Sequence, residues 1–155
     1  MWFSNGDKIK FKYINGIIQG EATEYFNDGR RIEFEYEKGV KHEKAFEYFS
    51  NGRKIELLYD KNIKKGKAIE YINNERRIEF IFSNGRKQGN AMYYLTNDDK
   101  IKMKYINDKI FGKATLISEK NGNIEFKCVN DKANREAPIR FLHRLLWLYT
   151  PHQIF

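Results

Sequence analysis

The sequence predicts a mainly β protein: an elongated, single-layer antiparallel β-meander of hairpin repeats that ends in a C-terminal capping helix. Three observations predict this fold. Side chains of one type recur every 23 residues, apolar and charged residues alternate within each unit, and the pattern becomes helical after residue 132.

Five columns of similar side chains run in fixed phase from residue 2 to residue 132. The columns are Tyr25, Tyr48, Tyr71 and Tyr94; Ile9, Ile32, Ile55, Ile78, Ile101 and Ile124; Phe11, Phe34, Leu57, Phe80, Met103 and Phe126; Tyr13, Tyr36, Tyr59, Phe82, Tyr105 and Cys128; and Ala22, Ala45, Ala68, Ala91 and Ala114. A fixed period of this kind is the signature of a repeat array. Residues 1–132 are therefore predicted to form one repeat domain, with most of its tyrosines and phenylalanines in the core.

Each unit is predicted to hold two strands. Ile32, Phe34 and Tyr36 alternate with charged residues, which is typical of a half-buried strand. One turn of the unit carries an Asn-Gly or Asp-Gly pair, as at Asn51–Gly52, and the other a residue that tolerates a positive φ, such as Gly39. The array should be a meander of roughly eleven strands.

Residues 133–155 are predicted to form a helix and tail that pack on the last repeats. Pro138 suits the first turn of a helix, and Pro151 ends it. An unpaired last strand is an aggregation hazard unless it is covered, so we expect the helix to lie over the region of Ile117 and Phe126. Its apolar face comprises Ile139, Leu142, Leu146 and Tyr149.

Composition excludes several classes of protein. The 155 residues include no apolar run long enough to span a membrane, and an aromatic content of 15% is not that of a disordered chain. The single cysteine, Cys128, cannot form an internal disulfide, and the start at Met1 carries no secretory pattern, so we expect a cytoplasmic protein. The net charge of +8 permits an anionic partner without naming one.

The unit from Tyr25 to Ala45 resembles the MORN repeat in its bacterial variant. The segment Tyr48–Lys54 is a close copy of the opening of that repeat, and Gly16–Gly20 and Gly85–Gly89 are close copies of its second turn. The resemblance covers about 85% of the chain, from residue 2 to residue 132. It implies a platform of repeated hairpins without enzyme activity, similar to the YwqK-type proteins often described as antitoxins.

Four residues depart from the glycine pattern of the family, and we expect altered turns in their units. They are Glu43, Asn62, Glu75 and Asp98.

We find no constellation that predicts catalysis, a cofactor or a metal. The histidines His42, His143 and His152 lack partners at metal-ligand spacing. Glutamates recur in two columns, at the same place in successive repeats. An active site occurs once in a domain, so this repetition argues against a catalytic role for them. We expect them to pair across strands with Arg31, Lys54 and Arg77. The columns are Glu24, Glu47 and Glu70, and Glu33, Glu56 and Glu79.

The predicted function is that of a non-catalytic protein-binding module, most simply an antitoxin-like or phage-type inhibitor that occludes an effector such as a nuclease. The alternative is a basic platform for RNA, DNA or an anionic membrane surface. That alternative is the weaker one, because the excess positive charge is spread thinly along the repeats. The residues predicted to contact the partner are Tyr93, Tyr94, Phe111, Arg140, His143, Arg144 and Trp147.

Overall fold

The computed structural model describes residues 1–120 and 122–128, which form fifteen β-strands and no helix. The strands are β1 (Lys8–Lys10), β2 (Tyr13–Ile14), β3 (Ile17–Ile18), β4 (Gly20–Tyr25), β5 (Arg31–Glu37), β6 (Val40–Tyr48), β7 (Lys54–Asp60), β8 (Ile63–Tyr71), β9 (Arg77–Ser83), β10 (Arg86–Lys87), β11 (Gly89–Tyr94), β12 (Lys100–Ile106), β13 (Lys109–Ile110), β14 (Gly112–Ile117) and β15 (Ile124–Cys128).

Thirteen of these strands form one open antiparallel sheet. Eleven follow one another across the sheet in chain order, β1-β4-β5-β6-β7-β8-β9-β11-β12-β14-β15, while β10 and β13 extend the hairpins of β9 and β12. Strands β2 and β3 make a separate two-stranded sheet. The prediction of an antiparallel β-meander is confirmed for the described residues. The predicted helix of residues 133–155 lies outside the described residues.

Strand pairing repeats with the period of the sequence. The alanine column faces the Phe34 column across five successive hairpins, so the 23-residue period is also the period of the hydrogen-bonded register. In the first four pairs a small alanine stands opposite a large buried side chain. The pairs are Ala22 with Phe34, Ala45 with Leu57, Ala68 with Phe80, Ala91 with Met103, and Ala114 with Phe126.

The two turns of each unit differ in geometry. At the turn between β5 and β6, Lys38 and Gly39 both have positive φ (50° and 80°), as a two-residue type I′ hairpin requires. The Asp-Gly turn before it is a longer loop, in which the Gly29 N–H donates to the Phe26 carbonyl at 3.1 Å and the Phe26 N–H donates to the Arg30 carbonyl at 2.9 Å. Gly29 supplies the left-handed residue of that loop (φ 84°).

Three of the four glycine departures keep the backbone that glycine would adopt. Glu43, Asn62 and Asp98 have φ values of 58°, 70° and 63°, so the expectation of altered turns there is wrong. The hydrogen bonds of the neighbouring strands hold the backbone of these residues in the left-handed conformation, whichever side chain they carry. Glu75 has no positive φ, and its turn is instead closed by Asn73, whose side-chain oxygen accepts from the N–H groups of Glu75 and Arg76 at 3.1 and 2.8 Å.

One face of the sheet, which we call the inner face, carries the buried core. The isoleucine, alanine and Phe34 columns supply most of it, and Leu57 and Leu116 are 1% exposed. The rings of Phe34 and Tyr36 meet edge to face at 5.0 Å, as do Phe80 and Phe82 at 5.1 Å. The prediction that the aromatic columns build the core therefore holds for these columns.

The Tyr25 column is the exception, because it lies on the opposite, outer face. Tyr25, Tyr48, Tyr71 and Tyr94 are half-buried there. Side chains alternate between the two faces of a strand, and these tyrosines stand an odd number of residues from the buried alanines.

Candidate functional site

Tyrosines and cations alternate in a single row across the outer face. The paired positions bring together residues that are far apart in sequence, with one member of the row from nearly every strand of the main path. We call this set the tyrosine–cation row. It runs through Trp2, Lys8, Tyr25, Arg31, Tyr48, Lys54, Tyr71, Arg77, Tyr94, Lys100 and Ile117.

Cations of this row lie over three of its tyrosine rings, those of Tyr25, Tyr48 and Tyr94. The guanidinium carbon of Arg31 lies 3.8 Å from the centre of the Tyr48 ring, and that of Arg77 lies 4.0 Å from the Tyr94 ring. Arg31 also binds Glu33 at 3.0 Å, and the Tyr48 hydroxyl donates to the same carboxylate at 3.1 Å. Burial and this donated hydrogen bond raise the pKa of Tyr48. The two arginines of the row, Arg31 and Arg77, are therefore ion-paired with glutamates, and each lies over one tyrosine ring.

Two shallow grooves lie beside the row, at equivalent repeat positions two units apart. The first has a volume of about 340 Å³ and the second about 300 Å³. We call them the acidic groove and the basic groove. Outer-face residues of the acidic groove are Glu21, Thr23, Glu33, Glu35, Lys44 and Phe46. Those of the basic groove are Lys67, Ile69, Glu79, Ile81, Asn90, Met92 and Lys102.

The basic groove has an aliphatic floor on an exposed surface. Ile81 is 42% exposed, although the same column carries a glutamate, Glu35, in β5. Leu58 of β7, also in this column, is 44% exposed. At these two positions the outer face carries an exposed aliphatic side chain where β5 carries a charged one.

Strand β12 presents three lysines on the outer face beside this groove. Lys100, Lys102 and Lys104 are exposed, and they alternate with the buried Ile101 and Met103. Within the described residues, none of the three ammonium groups forms an ion pair, although that of Lys100 lies 5.6 Å from the Tyr94 ring centre. The charge reversal at position 102, where three earlier units carry glutamate, was visible in the sequence columns but hidden by the averaged net charge.

A second charged set lies on the inner face and is structural. Three glutamates each bind a lysine 17 residues later: Glu24 with Lys41 at 2.6 Å, Glu47 with Lys64 at 2.8 Å, and Glu70 with Lys87 at 2.9 Å. The expected cross-strand pairing is wrong in its partners. Arg31 and Arg77 bind glutamates on their own strands, Glu33 and Glu79, at 3.0 Å each.

Glu70 is the most deeply buried of these carboxylates, at 1% exposure. It contacts Arg53 as well as Lys87, whose ammonium lies 4.2 Å from the Phe80 ring centre and 5.4 Å from that of Tyr105. Burial, with the nearby charge of Arg53, lowers the pKa of Lys87. Because the carboxylate of Glu70 is bound by two cations, we assign it a structural role.

The structure separates the predicted contact residues. Tyr94 belongs to the outer face, whereas Tyr93 packs against the inner-face core with Ile110. Phe111 is 51% exposed, and its backbone N–H donates to the carbonyl of Lys104 at 2.9 Å. Phe111 thus lies at one end of the lysine strand. The predicted contacts Arg140, His143, Arg144 and Trp147 lie outside the described residues.

Residues 1–120 and 122–128 contain no cluster of three His, Cys, Asp or Glu side chains placed to hold a metal ion. They also contain no helix with the length and apolar character needed to cross a membrane.

No family model and no curated protein matches the chain. Among solved structures, it is similar to the TCP10c domain of Drosophila melanogaster Sas-4, at 12% sequence identity and a TM-score of 0.42. That similarity covers 82% of this chain and 90% of the other.

Proposed function

We propose that this chain is a non-catalytic protein-binding module that docks a partner on the outer face of its sheet. The observation that carries the proposal is the basic groove, where Ile69, Ile81 and Met92 form an aliphatic floor within a charged rim. An apolar centre within a polar rim is the anatomy of protein interfaces.

The size of the outer face supports a protein partner. Eleven strands in sequence leave ten gaps, which at about 4.8 Å each give a length of about 48 Å. Six-residue strands add a width of about 20 Å, so the face offers roughly 1,000 Å². A standard interface uses about 800 Å² on each partner. Because strand pairing already holds this backbone in place, binding orders few groups.

We assign the repeats to the MORN type as part of the same proposal. The repeated register and the left-handed residue that recurs once in each second strand support it, including Gly20, Gly66, Gly89 and Gly112. The biological role that fits a rigid face of this size is occlusion. The module would act as an antitoxin-like or phage-type inhibitor that covers the working surface of an effector such as a nuclease.

The alternative, a platform for RNA, DNA or an anionic membrane, draws its support from Lys100, Lys102 and Lys104. Single-stranded nucleic acid is bound by cations together with aromatic faces on which bases stack. At Tyr48 and Tyr94 a guanidinium already lies over one face of the ring, Arg31 at 3.8 Å and Arg77 at 4.0 Å, and it would compete with a stacking base there. The protein-binding proposal accounts for the aliphatic floor, and binding of RNA or DNA does not.

Affinity capture with matched variants tests the proposal. Ile81→Glu introduces into the basic groove the residue type that β5 carries at the same column, so the sheet should tolerate it. Ile63→Glu makes the same change at the tip of the β7–β8 hairpin, where Ile63 is 52% exposed. We expect wild type and Ile63→Glu to retain the same stoichiometric protein from host lysate, and Ile81→Glu to lose it. Equal retention by all three proteins would show that the partner does not bind at the basic groove of the outer face.

A further inference from the structure

The two grooves have equivalent positions in the repeat and opposite charge. Lys67 lines the basic groove at the position where Glu21 lines the acidic one. The carboxylate of Glu79 in the basic groove is bound by Arg77 at 3.0 Å, which leaves the charges of Lys67 and Lys102 in excess there. The backbone is repeated, so the difference in charge comes from the side chains alone.

The lysines of β12 are not needed to protect an edge. Lysines on an edge strand prevent sheets from pairing edge to edge, and Lys8 and Lys10 of β1 stand on such a strand. Strand β12 lies instead between β11 and β14, with Lys102 and Lys104 on the outer face. Their charges are available to a ligand that lies over this face.

The spacing of these lysines fits an extended polypeptide. Alternate residues of a strand are separated by about 6.6–6.8 Å, and alternate carboxylates of an extended chain share that separation. The aliphatic floor of Ile69, Ile81 and Met92 accepts apolar side chains from the same chain. A groove of about 300 Å³ holds only a few of them.

We infer that the basic groove and the β12 lysines bind an acidic, extended segment of a partner protein, in which carboxylates alternate with apolar side chains. The inference rests on the proposed function and specifies its partner. Successive side chains of an extended chain project to opposite sides, so the segment lies along β11 between β9 and β12. Its carboxylates project toward Lys102 and Lys104 of β12, and its apolar side chains project toward the groove at Ile81 and Met92. The acidic groove repels the same segment through Glu21 and Glu35 and so sets its position on the sheet, while its Glu33 is bound by Arg31 as Glu79 is by Arg77.

Fluorescence anisotropy with the full chain tests this inference. The probe is a fluorescein-labelled octapeptide that alternates glutamate with leucine. Its controls are the same peptide with glutamine for glutamate and a labelled uridine octamer. The double variant Lys102→Glu/Lys104→Glu gives β12 the carboxylates that β5 carries at these columns, Glu33 and Glu35, so the fold should persist. Lys10→Glu/Lys12→Glu makes the same charge change four repeats earlier and is the matched control.

We expect the acidic peptide to bind wild type and the control variant equally, and to lose about tenfold in affinity with Lys102→Glu/Lys104→Glu. The glutamine peptide should bind at least about tenfold more weakly than the glutamate peptide. No binding of the acidic peptide, or an equal loss in both variants, overturns the inference. Lysine-dependent binding of the uridine octamer in preference to the peptide overturns it in favour of nucleic acid. A lysine-dependent dimer of the chain alone, seen by sedimentation, overturns it in favour of a second copy.

The capture experiment separates this inference from the proposed function. If the captured protein is lost with Ile81→Glu but retained by Lys102→Glu/Lys104→Glu, the protein-binding function stands and the acidic segment is wrong. If Ile81→Glu retains it as well, the proposed function fails too.

Discussion

Removal of Glu70 should destabilise the sheet more than any outer-face charge change. Glu70→Ala leaves the ammonium of Lys87 and the guanidinium of Arg53 without their shared carboxylate. Breaking a buried ion pair costs about 3–5 kcal/mol. The side chains of Lys87 and Arg53 keep 21% and 36% exposure and can turn partly toward water. We therefore expect a loss of about 2–3 kcal/mol in the free energy of unfolding.

The chain itself offers the matched replacement. One repeat later, the positions of Glu70 and Lys87 are held by Tyr93 and Ile110, which pack against the core. Well-packed apolar groups can replace a buried ion pair with little loss, and the guanidinium of Arg53, which is 36% exposed, can turn toward water. Glu70→Tyr/Lys87→Ile should therefore remain within about 1 kcal/mol of wild type.

Urea denaturation followed by far-UV circular dichroism measures both effects, with the free energy obtained by linear extrapolation. Glu33→Ala is the outer-face control, since its pair with Arg31 is about 40% exposed on both sides and should contribute about 0.2–1 kcal/mol. A structural role for the buried Glu70 pair is contradicted if Glu70→Ala costs no more free energy of unfolding than Glu33→Ala, or if the double variant loses as much as Glu70→Ala alone.

Three further predictions concern the backbone, the pH dependence and nucleic acid. Glu43→Gly should raise the free energy of unfolding by about 0.5–1 kcal/mol, because it removes a side chain from a left-handed backbone. Gly66→Glu, at the equivalent position of the next unit, should lower it by about 1–2 kcal/mol. Urea midpoints that do not move in opposite directions would contradict this prediction. Burial raises the pKa of Tyr59 above its unfolded value, so the contribution of this phenol to stability is complete below about pH 10 and is lost progressively above it. Between about pH 9 and 10.5, the free energy of unfolding of wild type should fall by about 0.8 kcal/mol more than that of Tyr59→Phe. Parallel pH profiles of the two proteins would contradict the prediction. Wild type should bind a 20-residue uridine RNA no more tightly than about 10 μM at 150 mM salt, and submicromolar binding with a steep salt slope would favour the nucleic-acid alternative.

The architecture could be predicted because one period controls both sequence and strand pairing. The isoleucine and alanine columns lie on the inner face as expected, since alternation along a strand assigns the residues of each column to one face. The Tyr25 column was predicted as core because tyrosine and phenylalanine look equivalent in composition. Only the face separates them: Tyr48 stacks with Arg31 on the outer face, whereas Tyr36 packs on Phe34.

The ion-pair partners could not be predicted because they depend on how adjacent hairpins meet. Glu47 reaches Lys64 in the following hairpin, while Arg31 binds a glutamate of its own strand. The basic groove was also missed, since its residues come from four strands. Its signal was present as exceptions to the columns, with Ile81 and Lys102 at positions that carry glutamate in other units.

Lysine labelling of the chain with its captured partner tests directly whether the partner docks on the outer face. Amine acetylation read by mass spectrometry compares each lysine in the free and bound protein. If the partner docks on that face, Lys102 and Lys104 beside the basic groove should be strongly protected from acetylation. Lys61, which is exposed at the tip of the β7–β8 hairpin, should be labelled equally in the free and bound protein. Protection of Lys61 with unchanged labelling of Lys102 and Lys104 would contradict docking on the outer face.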